Sequence, residues 1–75
     1  MIARVLIWNL FASKTTLEEL EEHLPLLPEG SHWISNSGAD RFGVFSVGDD
    51  PPDLGSVPEL IGEEPVVAEE FDVVE

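Results

Sequence analysis

The chain has 75 residues, enough for one domain (1–75) with a small core, and domains of this size normally lean on disulfides, a metal or a partner chain. It has no cysteine, which excludes disulfide staples, thiolate metal sites and cysteine catalysis, and is compatible with a cytoplasmic location. Its 16 acidic residues face three basic ones (Arg4, Lys14 and Arg41), and the net charge of −13 repels phosphate backbones and anionic lipid, so no nucleic acid and no membrane is expected as a partner.

A hydrophobic fraction of 43% with two tryptophans separates the chain from disordered acidic tails. The apolar start, Met1–Leu10, is too short to span a bilayer and lacks a small-residue cleavage site, so it is read as a strand and not a signal. Within it Ile2–Leu10 is apolar on both parities. Ala3, Val5 and Ile7 share one face, and Leu6, Trp8 and Leu10 share the other with Arg4, a pattern that predicts a central strand needing cover on both sides.

Thr15–Leu24 predicts the first helix. Thr15 or Thr16 serves as its cap, with Glu18 or Glu19 completing a capping box, and Leu17, Leu20 and Leu24 form a narrow apolar stripe. Glu18, Glu19, Glu21 and Glu22 crowd its outer face, so it needs packing to persist, and Pro25 stops it. His32–Asn36 and Phe42–Val47 predict a hairpin around a polar turn in which Asn36 and Gly38 are the residues suited to positive φ. Pro51 and Pro52 end the third strand's reach. Ser56–Ile61 then predicts a short second helix, capped by Ser56 with Glu59 at the capping-box position and ended by Gly62. Pro65–Val74 predicts a final strand, with Val67, Glu69, Phe71 and Val73 on one face. Its acids point to a sheet edge.

The order β-α-β-β-α-β predicts an α+β, ferredoxin-like fold: a four-stranded antiparallel sheet with both helices on one face. Two short helices cover only one parity of the first strand. Either the Ala3, Val5, Ile7 set or the Leu6, Trp8, Leu10 set must find other cover, and an exposed patch of that kind marks an interaction surface. The expected outcome is a homodimer joined sheet face to sheet face.

Three fragments, HWISNSGADRFGVFSV, a helix and VVAEEFDV, resemble the dimeric α/β-barrel superfamily, in particular small monooxygenase-like proteins related to the antibiotic-biosynthesis monooxygenases. The matching features are Trp33 in the second strand, Gly43 and Phe45 in the third, and the closing run Phe71, Asp72, Val73. The chain is shorter than typical members between the third and fourth strands. The resemblance implies a dimer whose sheets form a barrel, with a cavity between sheet and helices in each subunit. It also implies either binding of a small molecule, such as an aromatic one, or cofactor-independent monooxygenase-like chemistry, with no cofactor. Residues able to echo the roles known in relatives are His32 and Asn9 for catalysis and Trp8 and Trp33 for ligand binding. VLIWNL and RFGVFSV also look faintly like the two sheet motifs of RNA-recognition domains. Leu6 stands where a stacking aromatic is expected, the second motif lacks its glycine, and the acidic charge opposes RNA.

Each candidate has a plainer role beside the functional one. His23 suits a helix C-terminus, and His32 is either a general base or an ordinary strand-end residue. Trp8 and Trp33 line either a pocket or the core, and Arg41 either orients a carboxylate or phenolate ligand or pairs with an acid. Asp49, Asp50, Asp53, Glu63 and Glu64 lack EF-hand spacing, and no metal site is expected from them. No Ser-His-acid elbow or phosphate-cradling loop is present. Whether the chain is an enzyme stays open at this level. The alternative is a non-enzymatic acidic module that binds another protein.

Overall fold

The computed structural model describes residues 1–11 and 13–74. Its elements are β1 (Ile2–Asn9), α1 (Leu17–Glu21), β2 (His32–Asn36), β3 (Arg41–Gly48), α2 (Val57–Ile61) and β4 (Val67–Asp72), with a 3-10 turn at Ser37–Ala39. The strands form one sheet in the order β2-β3-β1-β4, and every neighbouring pair is antiparallel. Each β-α-β unit therefore straddles one intervening strand, which is the α+β ferredoxin-like arrangement. β1 is central, as its two apolar parities require, and the acid-rich β4 lies at an edge.

Strand register fixes which residues share a face, and the side on which the two crossovers pack decides which face the helices cover. Arg4 pairs with Ser46, Leu6 with Val44 and Trp8 with Phe42, so these side chains share one face. That face carries the core: Trp8, Leu10, Phe42 and Val44 pack against Leu20 of α1 and Val57 and Ile61 of α2. Helices of five residues are far below the length that persists alone in water, so side-chain anchorage holds them. Leu20, Val57 and Ile61 supply it by complete or near-complete burial. The Ser13 hydroxyl adds a tie, donating to the carbonyl of Ile61 at 2.8 Å. Ala3, Val5 and Ile7 are left on the other face, which no helix covers.

Several local expectations change. α1 is half the length predicted for Thr15–Leu24. Thr16 caps it, its Oγ1 accepting from the Glu19 N–H at 3.3 Å. Past Glu21 the chain tightens, with the His23 N–H donating to the Leu20 carbonyl at 2.9 Å, so His23 lies beyond the helix. Pro25 disfavours helical dihedrals at Leu24, and four crowded glutamates favour no further turn. Ser56 occupies the N-cap position of α2, but its side chain makes no cap hydrogen bond. Gly62 ends the helix in the left-handed region, with φ of 71°. In the hairpin the positive φ falls on Asp40, at 53°, and not on Asn36 or Gly38. Residues 37–39 continue with right-handed turns, so the reversal is deferred to the next residue, and Asp tolerates it. Asn36 steadies the turn through its Oδ1, which accepts from the Ala39 N–H at 3.2 Å. β4 is shorter than the predicted Pro65–Val74, although Val66 N–H donates to the Ile7 carbonyl and Val73 N–H to that of Met1.

Candidate functional site

The uncovered face of the sheet is the candidate site. Cross-strand pairing builds it in rows: Val47, Ala3 and Phe71; then His32, Phe45, Val5 and Glu69; then Ile34, Gly43, Ile7 and Val67; and Asn36, Arg41 and Asn9 at the end. The face is apolar and most accessible along its edge strands, with Ile34 39% and Phe71 50% exposed, while Val5, Ile7 and Phe45 in its middle are half-buried. Its strand residues carry one cation, Arg41, and one acid, Glu69, so the rest of the −13 lies off this face. A chain that is polyanionic elsewhere is close to neutral here.

Gly43 shapes the middle of this face. A Cβ built on Gly43 would run into the carbonyl oxygen of Leu6 and come within 3.1 Å of the Ile7 Cα, so the two backbones approach too closely for any side chain. Beside this close approach lies a hollow of about 160 Å³, lined by Ile7, Ile34 and Gly43, with Asn36 and Arg41 at its polar end. Arg41 is exposed and forms no ion pair among the described residues. The acid partner expected for it in its plainer role is therefore not present there. A guanidinium beside an apolar hollow can hold a flat anionic group such as a carboxylate or phenolate by paired hydrogen bonds.

The five candidate residues divide between the two faces. Asn9, His32 and Arg41 lie on the open one. Arg41 is the register partner of both Asn9 and Asn36, so these three adjoin. His32 pairs with Phe45, four residues along β3 from Arg41. At about 3.3 Å per residue and 4.8 Å between strands, its backbone is roughly 16 Å from that of Asn9. His32 and Asn9 are thus not brought together around one reacting atom within a chain. The Asn9 Oδ1 instead accepts from the Phe11 N–H at 2.9 Å, holding the chain as it leaves β1.

Trp8 and Trp33 face the helices. Trp8 is 3% exposed in the core. Trp33 stacks on Phe42 with ring centroids 5.4 Å apart, and its Nε1–H donates to the Pro25 carbonyl at 3.1 Å. Both occupy the core positions weighed for them, on the side away from the Gly43 hollow.

Sequence reasoning passed over the hollow itself. Its one signal was a glycine inside an otherwise bulky strand, which marks a close backbone approach. Among the described residues no three His, Asp or Glu side chains converge to hold a metal ion, the Asp49, Asp50, Asp53, Glu63 and Glu64 set included. No described helix is long and apolar enough to cross a membrane. No protein-family model matches this chain, and no curated protein matches it at a significant level.

Proposed function

We propose that this chain is a small-molecule-binding protein of the dimeric α/β-barrel type, in which two copies pack open sheet face to open sheet face around the Gly43 hollows. The observation that carries the reading is the apolar, nearly neutral open face on a chain of net charge −13. Two copies meeting through this face bury Val5, Ile34, Phe45 and Phe71 with a single carboxylate, Glu69, and a single cation, Arg41, from each copy, whereas the remaining surface carries the other acids. Arg41, at the polar end of each hollow, orients an aromatic carboxylate or phenolate. The resemblance to monooxygenase-like proteins supplies the reaction class, with Asn9 beside the guanidinium and His32 at the far end of the face.

Four strands about 4.8 Å apart, some 20 Å long, give a footprint of roughly 400 Å² per copy. The total of about 800 Å² lies below the usual range of stable specific interfaces, so the dimer is expected to be weak and transient. Raising salt from 0.1 M to 1 M shortens the screening length from about 10 Å to about 3 Å and relieves repulsion between the two acidic bodies. Sedimentation equilibrium should therefore show a dimer that tightens with salt. A clean monomer at every salt concentration overturns the reading and leaves a lone acidic interaction module.

A further inference from the structure

β4 is an outer strand of the sheet, with β1 on one side and no described strand on the other. The pairing shows which of its backbone groups are unused. Val73 N–H donates to the Met1 carbonyl, so in this register Val67, Glu69 and Phe71 exchange ladder bonds with Ile7, Val5 and Ala3. Bonding groups alternate sides along a strand, so the N–H and C=O of Ala68, Glu70 and Asp72 point outward. No described backbone–backbone hydrogen bond outside the sheet reaches them. β2, the other edge, is shorter, and by the same alternation it turns only Trp33 and Ser35 outward.

The faces of β4 are open as well. Every residue from Ala68 to Val74 is exposed, Phe71 and Val73 included. On the helix side Ala68 is uncovered, and beside it lies a second cavity of about 260 Å³, whose apolar lining comes from Leu6, Pro51, Pro52 and Leu54. Between Gly62 and Val73 the chain carries Glu63, Glu64, Glu69, Glu70 and Asp72 and no base. Among the described residues only Glu70 of this set has an ion partner, Arg4 at 3.6 Å.

We infer that this edge is a docking site for a basic, extended segment of another protein, which joins the sheet as a fifth strand antiparallel to β4. The outward groups of Ala68, Glu70 and Asp72 supply the hydrogen bonds, and the side chains of β4 select the occupant. A second copy of β4 is the competing occupant, and charge opposes it. The two-fold register that uses all three outward residues sets Glu70 against Glu70, and the next one sets Glu69 against Glu69. Acids on an edge commonly serve only to block such self-pairing. Here they alternate with exposed apolar groups, and a strand of complementary pattern satisfies both. Such a strand carries Lys or Arg opposite Asp72, Glu70 and Glu69, and apolar side chains opposite Phe71, Ala68 and Val67. The one beside Ala68 extends over the cavity. Read antiparallel to β4, the pattern is basic-apolar-basic-basic-apolar-apolar.

The test uses the intact chain and the capped peptide KVKKVV at low salt, with amide shifts and hydrogen exchange followed by NMR. Saturable protection is expected at the Ala68, Glu70 and Asp72 amides, with none gained at Trp33 and Ser35. The same peptide N-methylated at its first, third and fifth residues keeps its charge but loses the donors aimed at β4, so it should bind at least tenfold more weakly. Glu69→Gln combined with Asp72→Asn should keep the native amide spectrum and weaken the parent peptide about threefold or more. Equal binding by the N-methylated peptide reduces the effect to ion attraction and overturns the proposal. So does protection at Trp33 and Ser35 instead, the absence of saturable change, or undiminished binding by the charge variant. Protection at Ala68, Glu70 and Asp72 that grows with protein concentration alone means that a second copy occupies the edge, and also overturns it. Sheets packed face to face leave their edges free, so a monomer in the centrifuge leaves these outcomes unchanged, and failure here leaves the open-face reading intact.

Discussion

Replacing Gly43 by alanine sets two physical effects of opposite sign against each other. Strand propensity alone favours the change by about 0.5–1 kcal/mol, since glycine loses more chain entropy on folding than alanine does. Sterics oppose it. The new methyl would collide with the Leu6 carbonyl and press within 3.1 Å of the Ile7 Cα and 3.2 Å of its Cγ1. The Cγ1 belongs to a side chain that can rotate, but the other two are backbone of the central strand and cannot. Relief requires separating β1 from β3 along the pairing that runs from Ile2 with Gly48 to Asn9 with Arg41.

Overpacking that displaces backbone typically costs 1–3 kcal/mol. For a domain of 75 residues this is a large share of a total stability of about 4–11 kcal/mol. A clash with backbone belongs at the upper end of the overpacking range, so net of the propensity gain a loss of about 2 kcal/mol and a fall in the thermal midpoint of roughly 8–16 °C are expected, measured by circular dichroism at fixed protein concentration. Gly38→Ala is the control, because a Cβ there meets only Asn36 Oδ1, at 3.6 Å. A Gly43→Ala variant as stable as the parent would refute the close-approach argument.

Trp33→Phe removes the donor to the Pro25 carbonyl and part of the stack on Phe42, which together fasten the exit from α1 to the sheet. A loss of about 1–2 kcal/mol in urea denaturation is expected, and an unchanged midpoint would mean that this bond contributes nothing net. Phe71→Ser should weaken the proposed dimer tenfold or more in sedimentation equilibrium while the folded spectrum persists. Leu26→Ser, at a residue 99% exposed and off the sheet, should leave it unchanged, and equal effects would sink the face assignment.

Much of the architecture is legible from side-chain pattern alone. The order of elements, the central place of the first strand and the edge place of the last follow from apolar parity and from where the acids fall. Local chemistry also narrows the first cap to Thr15 or Thr16, of which the fold uses Thr16, and locates the Gly62 stop, because each acts within a turn of its own position. Patterning of period two, however, identifies the two faces of a strand without saying which is covered. Only the register of β1 on β3, with the crossings of α1 and α2, put Leu6, Trp8 and Leu10 inside and left Ala3, Val5 and Ile7 open.

The tertiary structure likewise decided what no local signal carries. His32 and Asn9 share a face yet lie far apart, since sequence gives parity but not position along a paired strand. Arg4 and Ser46, 42 residues apart in sequence, become neighbours through the same β1–β3 register. Residue type and spacing determine what each segment can form, because those preferences act over a few residues. Which segments meet, and which polar atoms lose their water, depends on contacts between distant parts of the chain and is settled only when the sheet closes.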